Sequence, residues 1–220
     1  TGLENAEKRT QQFALLQQAQ KVSLHLANWH HFLSGLRLAG YRSSKMITSE
    51  TAIIYCYVLY LIGVRDYQID KPTMRQAIAE FFFMAALTGR YTNSPETRFE
   101  ADLAVFRDLT SGQAFLSKLK ETCTTTLTGD YWKITLPSQL ATSAARSPSL
   151  FAYFAALIKL DATALFSDLK LADLADPAVV STKASVERHH LFPRAFLESQ
   201  EIEDLKEINQ IANFAWIEWP

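Results

Sequence analysis

The sequence predicts a mainly α-helical protein: a helical bundle over residues 1–180, followed over 181–220 by a small strand–loop–strand unit. Three features predict it. Apolar residues recur at helical spacing in one segment after another. Serine or aspartate, often just ahead of proline, repeatedly announces a helix start. Past Ala184 the apolar period changes from helical to extended.

In order, residues 3–39 read as one long helix or two in line, with Phe13, Leu16, Ala19 and Leu24 at helical spacing and Gly40 as terminator. Thr48 or Ser49 caps a second segment that carries Ile53, Ile54, Val58 and Leu61 to Gly63. Asp70 and Pro72 open a third, with Ile78, Phe81, Phe82 and Leu87 ahead of Thr88-Gly89. A helix apolar on so many sides belongs at the centre of a bundle. Ser94-Pro95-Glu96 combines a capping serine, a first-turn proline and a first-turn acid, and Phe99, Leu103 and Phe106 then line one face.

Helix signals continue over 115–127, then comes a turn at Thr128-Gly129-Asp130 and a short helix after Pro137. Ser147-Pro148 starts another, with Phe151, Phe154, Ala155 and Ile158 spaced for burial. Residues 162–182 are mixed, with a turn at Asp176-Pro177. From Ala184 onward, Val186 and Leu191 flank charged positions in an extended run ended by Pro193. Ala195, Phe196 and Leu197, then Ile202, Leu205 and Ile208, suit short helical turns, and residues 214–219 read as a second strand.

Composition narrows the class. An apolar fraction of 48% and a charged fraction of 20% are those of an ordinary folded protein. A net charge of −1 supplies no global basic field, so any nucleic-acid contact must come from local basic residues. The two cysteines, Cys56 and Cys123, have no metal or redox spacing and read as reduced thiols of a cytoplasmic protein. The apolar runs at 52–62 and 81–87 fall short of the ~20 residues a membrane helix needs, so no membrane partner is expected. Beginning at Thr1-Gly2 and stopping at Trp219-Pro220, the chain reads as a fragment of a longer protein.

Most candidates for chemistry have a plainer reading. His25, His30 and His31 lie five and six apart, which does not stack them on one helix face. The polar loop from Thr88 to Ser94 precedes a helix start, where a phosphate could sit, but without a glycine-rich pattern it reads better as a helix-to-helix connection. Glu96, Glu100 and Asp102 read as a solvated face. The exception is the His189-His190 pair at the end of an extended run, with Asn213 placed 23 residues beyond the second histidine where the next apolar run begins.

Glu187-Arg188-His189-His190-Leu191-Phe192-Pro193-Arg194, followed by Ile208-Asn209-Gln210-Ile211-Ala212-Asn213-Phe214, resembles the HNH signature of the GmrSD-type restriction endonuclease family. Upstream, Leu87-Thr88-Gly89-Arg90-Tyr91-Thr92-Asn93-Ser94-Pro95-Glu96 is similar to a segment in the helical region of such proteins. The resemblance implies that 181–220 is an incomplete ββα-metal (HNH) module. It implies the C-terminal part of a DNA endonuclease of restriction or phage-defence type, acting on foreign or modified DNA beside an N-terminal ParB-like NTPase domain. The third active-site position of the family, an Asn or His on a helix after the second strand, would lie beyond Pro220.

For phosphodiester hydrolysis, His190 is the expected general base, since an imidazole can take a proton from water without being permanently charged. A single divalent ion, Mg²⁺ or in its place Mn²⁺, is the implied Lewis acid, with His189 as its ligand by resemblance. Adjacent strand residues point to opposite faces, so His189 and His190 converge only if the strand breaks at the pair; otherwise Glu187 shares the face of His189. Asn213 is expected to hold the loop and orient the His190 ring, with Asn209 as runner-up. Arg188 and Arg194 either contact phosphate oxygens or are surface charges beside Glu187 and Glu198. The competing expectation is a non-enzymatic helical module for dimerisation, in a homo-oligomer, or for DNA contact, with a vestigial HNH site.

Overall fold

The structure is a computed structural model that describes residues 6–141, 146–177 and 186–218. Among them are eleven α-helices and one two-stranded sheet. The N-terminal helical stretch is two helices, α1 (Ala6–Ser23) and α2 (Leu26–Leu38). The break at Leu24-His25 is made by side chains that take the carbonyls a continuing helix would use. Asn28 Nδ2 donates to the Val22 carbonyl at 3.1 Å, while Trp29 Nε1 and the Tyr57 hydroxyl donate to that of Ser23 at 2.7 and 2.9 Å. The expected apolar stripe of α1 does not reach the core: Phe13, Leu16 and Leu24 are all exposed.

Gly40 ends α2 as expected. Its φ of +95° suits glycine, and a Cβ there would sit 2.1 Å from the Ala155 carbonyl oxygen. The next helix, α3 (Glu50–Arg65), is capped by Ser49 Oγ, which accepts from the Ala52 N–H at 3.4 Å. It passes through Gly63, where the missing side chain admits Met74: a Cβ would lie 2.4 Å from its sulfur. The buried face is also turned from the expected one. Cys56, Tyr57, Leu59 and Tyr60 point inward and Ile54 is exposed. In a run apolar on every side, periodicity does not choose the face. Here aromatic packing does, with Tyr57 stacked on Trp29 at 3.9 Å.

Helix α4 (Lys71–Thr88) is the centre of the bundle, in contact with α2, α3, and two helices that follow, α6 (Gly112–Thr126) and α8 (Pro148–Lys159). Asp70 caps it by accepting from the Thr73 N–H at 2.9 Å, and Gly89 ends it in the left-handed conformation at φ 61°. Between them α5 (Pro95–Arg107) begins with the expected proline and acid but without the expected cap. Ser94 lies at φ 47°, and its side chain makes no capping bond, because a capping side chain needs an extended backbone to reach the first-turn N–H groups. Glu96 and Glu100 are solvated, whereas Asp102 is buried and ion-paired, contrary to the expected solvated face.

After α6, a π-helical turn at Tyr131–Thr135 leads into α7 (Leu136–Leu140), and Ser147 caps α8 by accepting from the Leu150 N–H at 3.1 Å. A short α9 (Leu171–Leu174) follows. Then β1 (Val186–His190), α10 (Arg194–Ser199), α11 (Leu205–Ile208) and β2 (Phe214–Glu218) complete the chain, the strands pairing antiparallel. Trp216 of β2 stacks on Phe154 of α8 at 4.1 Å, and its carbonyl accepts from the Leu165 N–H at 2.7 Å. The hairpin is thereby fixed to the helical body. Among the described residues no helix is long and apolar enough to cross a membrane.

Both cysteines are free, and Cys56 is fully buried. Burial raises both thiols, and it pushes Cys123 up to about 12, helped by the Glu80 charge and opposed by Arg90. At pH 8 only ~10⁻⁴ of Cys123 is then thiolate, against roughly a quarter of an ordinary cysteine. Iodoacetamide should therefore label the native chain ~10³-fold more slowly than the urea-unfolded chain. The thiols bind protons more tightly in the folded state, so their contribution to stability is lost as pH rises above the unfolded thiol range of ~8.5. Equal labelling rates, measured by mass spectrometry, would contradict the burial.

Candidate active site in the C-terminal hairpin

The register of the hairpin decides which side chains meet. His190 pairs with Phe214, His189 with Ala215 and Arg188 with Trp216. Side chains alternate along a strand, so Arg188 and His190 share a face with Phe214 and Trp216, while Glu187 and His189 take the other. The Phe214 ring supports both members of its face: the His190 ring lies 4.4 Å from it and the Arg188 guanidinium carbon 4.3 Å above it.

Beyond β1 the chain turns at Leu191, whose N–H donates to the Asn213 carbonyl at 2.9 Å. The Asn213 side chain is buried at 6% exposure and makes three bonds to backbone. Its Oδ1 accepts from the Phe192 N–H at 2.9 Å, and its Nδ2 donates to the carbonyls of Phe192 and Ile208 at 3.1 and 2.9 Å. One amide thus clamps the two ends of the loop that carries α10 and α11. Ile208 and Ile211 of the same loop are also buried.

The two tasks expected of Asn213 are divided. Asn213 holds the loop, and the ring contact belongs to Asn209, whose Oδ1 lies 2.9 Å from His190 Nε2. Asn209 directly follows α11, so the short helix Leu205–Ile208 sets its position. The sequence signal for this was weak: a second asparagine four residues ahead of Asn213, with nothing to say which one reaches the ring. Phe214, the support for His190 and Arg188, shows in the sequence only as the start of a strand.

The remaining expected residues lie elsewhere. β1 runs unbroken through His190, so the strand break on which convergence of the histidines depended does not occur within it, and His189 is exposed on the opposite face. Arg194 is exposed and paired along α10 with Glu198 at 2.6 Å. In the loop from Thr88 to Ser94, Nε and Nη2 of Arg90 donate to the Asp102 carboxylate at 2.9 and 2.6 Å. Among the described residues, no three His, Cys, Asp or Glu side chains are grouped to hold a metal ion.

No family model, curated protein or solved structure matches the chain.

Proposed function

We propose that the chain is the C-terminal part of a DNA endonuclease of restriction type, and that its hairpin is an HNH-like unit with His190 as general base. One arrangement carries this reading: an asparagine-clamped strand–loop–strand that presents His190 between an oriented amide and an arginine. Asn209 Oδ1 can only accept, so Nε2 of His190 carries the hydrogen and Nδ1 is left with its lone pair. That lone pair would take the proton of the attacking water. Arg188, held over Phe214 on the same face, would meet a non-bridging phosphate oxygen.

A divalent ion, Mg²⁺ or Mn²⁺, would supply Lewis-acid polarisation of the phosphate in such an enzyme. The described residues do not by themselves fit one. His189 and His190 leave opposite faces of β1, and no three-donor group forms around either. The same observation favours the second reading, a non-enzymatic helical module for self-association or DNA contact that keeps a vestige of the site. On the first reading the substrate is foreign or modified DNA and the functional partner a ParB-like NTPase domain.

Nicking of supercoiled plasmid in Mg²⁺ or Mn²⁺ separates the two. Cleavage that falls at least ~10²-fold in His190→Ala supports the base assignment. Cleavage of equal rate by both proteins removes it, and no cleavage by either favours the non-enzymatic module.

A further inference from the structure

A second constellation lies on the helical body, away from the hairpin. Between the C-terminal ends of α2 and α8 and the first half of α4 is a cleft of about 550 Å³. Four of its lining residues are cations, Arg37, Arg42, Arg75 and Lys159, with Ser34 among them and no acid. The chain as a whole has a net charge of −1, so this is a local excess. The surrounding helices do nothing to offset it. Neither α2 nor α8 contains a carboxylate, and the one on α4, Glu80, is exposed beyond the cleft lining. Arg37 is paired with Asp176 at 2.8 Å. Among the described residues, Arg42, Arg75 and Lys159 have no ion pair.

Helix electrostatics accounts for only half of the cluster. Arg37 and Lys159 lie in the last turns of α2 and α8, where the helix dipole favours a cation. Arg75 lies toward the opposite end of its helix, where the dipole gives it no such help, and Arg42 sits on the connection after α2. Arg42 is the telling member. Its Nε is buried with no hydrogen-bond partner, and a guanidinium does not shed its charge to escape. A buried guanidinium N–H left unpaired opposes folding, as does mutual repulsion of three unpaired cations around one cleft.

We infer that this cleft is a phosphate-binding site. A phosphate dianion suits these features: it offsets two of the three unpaired positive charges, and its tetrahedral oxygens accept from guanidinium forks in the bidentate manner that a halide ion does not match. The volume lies within the range of small-molecule pockets, roughly 300–1,000 Å³. The phosphate would come either from a free polyphosphate such as a nucleotide or from a DNA backbone. The inference is independent of the nuclease reading, since it shares no residue with the hairpin.

The test uses the full chain at constant ionic strength, because exposed charges are screened by salt. Inorganic pyrophosphate is titrated calorimetrically into the wild type, Lys159→Gln, the pair Arg42→Gln/Arg75→Gln, and His190→Ala. Lys159 is exposed, so its variant folds whatever the fate of the half-buried Arg42 and Arg75. Pyrophosphate affinity should fall several-fold in Lys159→Gln, more than about tenfold in the pair, and not at all in His190→Ala. A labelled DNA duplex, followed by anisotropy, identifies the source. Loss of DNA affinity in the same variants, with pyrophosphate as competitor, assigns the backbone, and DNA binding indifferent to them assigns a free polyphosphate. Absence of pyrophosphate binding to the wild type, or equal affinity in Lys159→Gln, overturns the site.

Discussion

Asn213→Ala should unfasten the C-terminal hairpin while leaving the helical body intact. The substitution leaves the Phe192 N–H and the carbonyls of Phe192 and Ile208 without their partner. Asn213 is buried, so water does not simply take the place of its amide. An unsatisfied buried group costs about 1–3 kcal/mol; the Ile208 bond is buried and the two to Phe192 are part-buried, so together they come to roughly 2–4 kcal/mol of local stability. The loss is local because the core of the body, built on α4, contains none of these residues. Hydrogen exchange should show it: protection within β1, β2 and the loop collapses, while α4 exchanges as in the wild type. Asn213→Asp should do little better, since it keeps the acceptor for Phe192 N–H but sets a carboxylate against two carbonyls. Undiminished protection of the hairpin in Asn213→Ala would show that Trp216 and the strand ladder hold it alone.

If the loop loosens, Asn209 loses its place beside His190, and the proposed site fails without any change in its reacting groups. Plasmid nicking by Asn213→Ala should therefore fall with the loss of protection, whereas in His190→Ala nicking falls and protection stays. Loop order and base chemistry are separated by that pair of measurements.

How much of this was legible in the sequence varies by kind of signal. Caps that act within one turn were readable: Ser49, Asp70 and Ser147 each bond an N–H three residues on. Ser94 had the right neighbours but the wrong backbone, and backbone angle at a corner is set by what the corner packs against. The central place of α4 followed from apolar residues all round it; the inward face of α3 did not, for the same reason. The break between α1 and α2 is made by Asn28 and Trp29 together with Tyr57, and Tyr57 lies more than thirty positions away in sequence, where no local pattern contains it. In the hairpin, strand–loop–strand order was visible from the change of period. The alternation that separates His189 from His190 was also derivable, but which asparagine reaches the ring depends on the path of a loop with two short helices.

The loop from Thr88 to Ser94, which invited a phosphate by its polarity, has a structural use instead, and it sets the largest whole-chain prediction. Asp102→Ala should lower the stability of the chain by about 3–5 kcal/mol. Asp102 accepts from Arg90 at 2.9 and 2.6 Å and from the Tyr91 hydroxyl at 2.6 Å, while the more distant Arg98 is at 3.8 Å. The Arg90 and Asp102 side chains are 6% and 7% exposed, so solvent screening does not blunt the interaction. Burial raises the Tyr91 phenol, helped by the Asp102 charge, and keeps it a donor through the working pH range. The Tyr91 carbonyl accepts from Thr51 at 2.9 Å, which ties the start of α3 to the corner between α4 and α5. Removing the carboxylate strands a buried guanidinium over the Phe81 ring and leaves the Tyr91 hydroxyl unpaired. Tyr91→Phe, which removes one donor only, should cost about 1–2 kcal/mol. Arg90→Met together with Asp102→Ala should recover much of the single-mutant loss, because the double variant buries no unpaired charge. Urea unfolding with an unchanged m-value measures all three. If Asp102→Ala lowers the unfolding free energy by less than ~1 kcal/mol, water reaches Arg90 and the corner is not the closed network that these distances describe.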